Sequence, residues 1–115
     1  MPIKRLGTTV RWSDAVIHNG TVYCVEVAEN TDSDLPQQTQ QVLTQLESTL
    51  KNAGSDKTRL LSVTIFLKDI KQIGEFNAIW DRWVPTGTAP SRACVQAVMA
   101  DPGYLVELQV TAATD

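Results

Sequence analysis

Two charged side chains near the end of the chain stand where chemistry could be done. Arg92 lies in the run SRACVQAV and Glu107 in the run LVELQVTA. Both runs read as strands, in which successive side chains point to opposite faces. In Ser91–Val98, Arg92, Cys94 and Gln96 share one face, while Ala93, Val95 and Ala97 share the other. In Leu105–Ala112, Leu105, Glu107, Gln109 and Thr111 share a face, and Val106, Leu108, Val110 and Ala112 make an apolar one. If the two strands pair as a hairpin, Arg92 and Glu107 come to the same side of the sheet. Neither is expected mid-strand against packed helices, because an unpaired buried charge is very costly. The pair is therefore either part of a ligand site or a plain cross-strand ion pair, the latter worth under about 1 kcal/mol if exposed.

The rest of the inventory excludes more than it offers. One histidine, His18, cannot supply a multi-histidine zinc site, and no metal site is expected. His18 sits beside a turn and reads as a solvated turn residue. Cys24 and Cys94 fit neither a metal knuckle nor a CxxC redox pair. With no visible general base beside it, Cys94 reads as a small buried residue, and Cys24 reads the same way. Trp12, in the polar stretch RWSD, is either a ligand platform or an interface anchor.

The elements that must position these residues follow from spacing. The chain has 115 residues, with neither linker nor repeat, and reads as one domain over residues 1–115. Asn19-Gly20 between Ala15–His18 and Thr21–Val27 marks a hairpin, since both turn positions need positive φ. Asp34 and Pro36 suit a helix start. Val42, Leu43, Leu46, Leu50 and Ala53 recur at helical spacing, with Gln41, Gln45 and Glu47 on the polar face and Gly54 at the end. Arg59–Leu67 is apolar on both faces and β-branched, as a central strand requires. Asp69 and Gln72 are placed to form a capping box for a second helix, whose stripe is Ile73, Phe76, Trp80 and Trp83. Pro85 and Gly87 end it. Two strands joined through Asp101-Pro102-Gly103 close the chain. The order β-β-α-β-α-β-β predicts an α+β domain with a mixed sheet and both helices on one face. Two helices cannot cover the other face, so burial against a further subunit is expected. Thr21–Val27 alternates Val22, Cys24 and Glu26 with Tyr23, Val25 and Val27. The second, more apolar set suits the helix side, which would put Glu26 on the side of the expected cleft.

Composition narrows the partners. A formal net charge of −3 argues against nucleic acid, which needs a basic face. No stretch approaches the roughly 20 apolar residues of a membrane span. MPIKRLGTTV lacks an apolar core of signal-peptide length, so a cytoplasmic location is the expectation.

The segment APSRACVQA, followed after a short turn by LVELQV, resembles the C-terminal signature of the RidA/YjgF family. There a Pro-x-Arg-x-Cys strand precedes a glutamate on the last strand. AGSDKTRLLSVTIFLKDI resembles the family's loop-strand-loop after the first helix. Asn77 stands where the family has an asparagine in the second helix, and Trp12 where many members have a tyrosine. IHNGTVY and the paired tryptophans look most like the short YoaB-like members. The resemblance implies a chorismate-mutase-like fold and a homotrimer with clefts between subunits. It implies hydrolysis of reactive enamines and imines, of the 2-aminoacrylate type, to 2-oxo acids and ammonia without a cofactor. Arg92 would bind the substrate carboxylate, a task its planar fork suits. The backbone at Cys94 would hold the reacting nitrogen or carboxylate, and Glu107 would position or activate a water. Trp12, Glu26 and Asn77 would complete the substrate site. The alternative is a non-catalytic binder or sensor of small carboxylates, which needs Arg92 but not Glu107. One departure stands out. Active members carry a Ser-Gly or Thr-Gly pair where this chain has Val25-Glu26. Either Glu26 points away from the cleft, or the ligand differs from small imino acids.

Overall fold

The computed structural model describes residues 2–115. The first hairpin forms where the turn residues demand it. Strands β2 (Ala15–His18) and β3 (Thr21–Val27) pair antiparallel, and Asn19 and Gly20 both take positive φ, 50° and 74°. A short strand that the residue pattern does not reveal, β1 (Lys4–Leu6), pairs with β2 at the sheet edge. Its three residues are too few to show a period.

Helix α1 (Leu35–Asn52) starts on a full capping box. The Gln37 backbone N–H donates to the Asp34 carboxylate, and the Gln37 side-chain oxygen accepts from the Asp34 N–H, each at 3.0 Å. Its Val42, Leu43, Leu46 and Leu50 are buried, and Gly54 closes it at φ 82°. Strand β4 (Leu60–Leu67) follows, then α2 (Ile73–Trp83), β5 (Ser91–Gln96) and β6 (Val106–Ala113). The expected capping box at Asp69 does not form. Asp69 caps a separate 3-10 turn, Ile70–Gln72, and the Gln72 side chain bonds Glu75 instead.

The sheet order is β1-β2-β3-β6-β4-β5, with β4 and β5 parallel and the other neighbours antiparallel. The α+β class, the mixed sheet and two helices over one face all hold. Helix residues Leu43, Leu46, Phe76 and Trp80 share one buried cluster with Val63, Ile65, Leu108 and Val110 of the sheet.

Two expectations fail, for a common reason. The last two strands do not form a hairpin: β6 inserts between β3 and β4, and β5 is left at the edge. Val106, Leu108, Val110 and Ala112 are all buried, which requires a central position, and the α2 crossover lays β5 parallel against β4. Arg92 then aligns with Val63 on the helix-covered face, while Glu107 aligns with Phe66 on the open face. They lie on opposite sides of the sheet, so no cross-strand pair exists between them. Glu26 is also reversed. Val22, Cys24 and Glu26 align with Ala112, Val110 and Leu108 and are buried under α1, whereas Tyr23 and Val25 face outward. Both sets of β3 are largely apolar, so alternation alone could not orient the strand; its register against β6 does.

Candidate functional site

The residues singled out from the sequence fall into three places. The first is the β5 edge. Arg92 is exposed there, with its guanidinium carbon 5.7 Å from the Trp80 ring centre and 6.0 Å from that of Phe76. Cys94, one step along the same face, is half-buried, and burial raises its thiol pKa although Arg92 pulls the other way. A protonated thiol is a poor nucleophile. Asn77, on α2, has a buried side-chain oxygen with no hydrogen-bond donor among the described residues. Such an acceptor costs roughly 1–3 kcal/mol, which a donor from outside the chain would recover.

The second place is the open face. Glu107 lies in a cross-strand row, Val95–Phe66–Glu107–Val27, that spans β5, β4, β6 and β3. Partial burial among these apolar neighbours raises its carboxyl pKa. Tyr23, Val25 and Val95 on the same face are 42–49% exposed, an apolar surface left uncovered among the described residues.

The third place is the end of β3. Past Cys24 the strand has no β2 partner, and a cavity of about 720 Å³ opens between it, α1 and the loops. Trp12, Asp14, Glu26, Glu29, Gln45 and Tyr104 line it. Burial raises the Glu26 carboxyl pKa; Thr49 and Gln45 oppose the shift, and Asp14 adds to it. Beneath it, burial and the Glu26 charge push the Cys24 thiol up to about 12, so this cysteine is inert. Gln45 does more than face solvent. It donates to the Val27 carbonyl at 2.7 Å and accepts from the Glu29 N–H at 3.3 Å, pinning the chain as it leaves β3. A long polar side chain on a helix gives no sign of that role without the neighbouring loop.

One chain therefore sets Arg92 and Cys94 at the β5 edge, with Asn77 next to Phe76 on α2, and Trp12 with Glu26 around a cavity at the end of β3. On the helix-covered face Cys94 and Glu26 occupy opposite ends of a single row, Cys94–Ile65–Leu108–Glu26. At about 4.8 Å per strand, three steps through packed core separate them by about 14 Å. The contact of Arg92 with Trp80 was not legible in the sequence, where Trp80 reads only as part of the helix stripe.

Known proteins share this fold. The family model described as endoribonuclease L-PSP matches residues 2–114. The RutC family protein YoaB of Escherichia coli is 44% identical over 113 residues, covering 98% of this chain and 99% of that protein. The chain belongs to the RidA/YjgF family. A RidA/YjgF relative from Haemophilus influenzae, a RutC family protein, is 38% identical over 114 residues, 97% of this chain and 98% of its own. The crystal structure of a YjgF family member from Neisseria meningitidis superposes with a TM-score of 0.94 at 40% identity, covering 100% of this chain and 97% of that one. An uncharacterized protein from Pseudomonas aeruginosa superposes at 0.96 with 36% identity, covering 99% and 100%.

Proposed function

We propose that this protein hydrolyses enamines and imines of small amino acids to 2-oxo acids and ammonia, at clefts between the subunits of a homotrimer. The observation that carries the reading is the separation just described. Arg92 and Cys94 lie at one sheet edge, and Trp12 and Glu26 lie some three strands away. A second copy that laid its β5 edge against this chain's uncovered face would bring its Arg92 and Cys94 to this chain's Glu107, Val25 and Trp12. It would also bury Tyr23, Val25 and Val95. In that cleft Arg92 takes the substrate carboxylate through paired N–H donors. Water adds to the imine carbon while Glu107 accepts its proton. Glu107 passes that proton to the imine nitrogen to give the carbinolamine; it then relays the hydroxyl proton to the same nitrogen, the C=O forms as the C–N bond breaks, and ammonia leaves. Glu107 must be ionised to act as the base, and burial raises its pKa. Turnover should therefore begin to fall, on acidification, at a higher pH than an ordinary carboxylate would give.

A second reading, binding of 2-oxo acids without turnover, draws on Val25. Its side chain stands 48% exposed where active relatives of the family carry a small serine or threonine. The inward turn of Glu26 removes its charge from that surface, but Val25 keeps its bulk. Ribonuclease activity, which the family description names, is poorly served by a net charge of −3 and a single histidine. The deciding experiment is a coupled assay in which an amino-acid oxidase generates an imine and oxo-acid release is timed. Faster release in the presence of the protein is expected. Unchanged release together with pyruvate binding by calorimetry selects the binder. Light scattering should report about three times 12.6 kDa, and a stable monomer removes the shared cleft.

A further inference from the structure

Arg92 is held by aromatic rings rather than by a carboxylate. Arg59 in the same chain is paired with a carboxylate, Asp115, at 3.2 Å. Arg92 has no carboxylate within ion-pair distance among the described residues. Its charge rests over the rings of Trp80 and Phe76 instead.

We propose that Trp80, backed by Phe76, is the positioning residue for Arg92: it fixes the guanidinium over an aromatic floor while leaving its charge and N–H donors free for an anionic ligand. An ion pair would immobilise the side chain too, but the carboxylate would occupy the donors and would have to be displaced by any anion. A ring face attracts the cation through its quadrupole and takes up no N–H donor. The floor is itself rigid. Phe76 and Trp80 stack with centroids 5.9 Å apart at 25°, and both are buried. Trp83 continues the series 5.5 Å from Trp80. Its indole N–H donates to Glu47 of α1 at 3.2 Å, and Lys57 lies 5.4 Å over its ring while pairing with Glu47 at 3.4 Å. The aromatic series is thus tied to α1 at the end away from Arg92, so little rotamer freedom remains to be lost when a ligand arrives.

Only the ligand arm of the test rests on the reading of Arg92 as a carboxylate anchor; the positioning itself can be read without ligand. In the whole protein, the Arg92 Nε–Hε proton, assigned by its loss in Arg92→Lys, should resonate upfield of the other arginines because of the ring current. It should move toward them in Trp80→Leu. Calorimetry with pyruvate should show Trp80→Leu weaker by about three- to tenfold, with most of the loss restored in Trp80→Phe, which keeps a ring. An unshifted Arg92 signal in the wild-type protein overturns the proposal, even if Trp80→Leu fails to fold. Equal pyruvate affinity in folded Trp80→Leu, or equal losses in the Phe and Leu variants, overturns it as well. A shifted signal in a protein that binds no pyruvate upholds the positioning and sinks the proposed function instead.

Discussion

Arg92 and Glu26 are both charged residues that strand alternation carries to the helix-covered face, and the fold treats them in opposite ways. Arg92 sits on the last strand of the sheet, so its head reaches water while its flank lies over Trp80 and Phe76. Glu26 sits on an interior strand beneath α1, and only 8% of it remains accessible. One charge is kept available, and the other is desolvated and drawn toward its neutral form. Position across the sheet, not residue type, decides which charge can meet a ligand.

That contrast can be broken at several points. Leu46→Ala removes a fully buried side chain from α1, the helix that covers β3. It should cost about 2–5 kcal/mol and lower Tm by roughly ten degrees or more, read by calorimetric melting. Pyruvate affinity well below the melt should hardly change, since Arg92 lies on the far edge. A matching loss of affinity would mean that the two regions are not independent.

Arg92→Ala should weaken pyruvate binding by about 10- to 150-fold, corresponding to roughly 1.5–3 kcal/mol for hydrogen bonds to a charged group. Its effect on Tm should stay within a few degrees because the side chain is exposed. Arg92→Lys should remain poor, since a point charge lacks the fork. Unchanged binding in titration calorimetry would reduce Arg92 to a β5 side chain that merely packs on α2.

Asp34→Ala tests the covering helix from its end. Loss of the capping box should cost about 1 kcal/mol, seen as a Tm lower by a few degrees with no change in pyruvate affinity.

Glu26→Gln has the smallest effect at acid pH and a growing one above it. Because burial raises the folded-state pKa, the native protein holds this proton more tightly than the unfolded chain. The stabilisation is complete below the unfolded pKa and is lost as pH rises through the folded one. Glutamine keeps the shape and never ionises. The variant should match the wild type near pH 4 and melt a few degrees higher at pH 7. Parallel Tm curves across that range would show that Glu26 is solvated after all. By the same geometry Glu26→Gly is no route to a roomier cleft, because it leaves a void beneath α1.

Short-range signals in the chain were enough to fix the local elements. Asn19-Gly20 demanded a hairpin, Asp34 and Pro36 marked the start of α1, and the apolar spacing from Val42 to Leu50 marked its buried stripe. The run APSRACVQA with LVELQV also sufficed for the family. Alternation correctly divided β5 and β6 into their two faces. It could not say which face met the helices, because that depends on which strand lies alongside. Tertiary structure decided that β6 goes between β3 and β4, and so put Arg92 and Glu107 on opposite sides and Glu26 underneath α1. The physical reason is that strand pairing is a long-range choice, made by burying Val106, Leu108, Val110 and Ala112 together, and a period of two is blind to it.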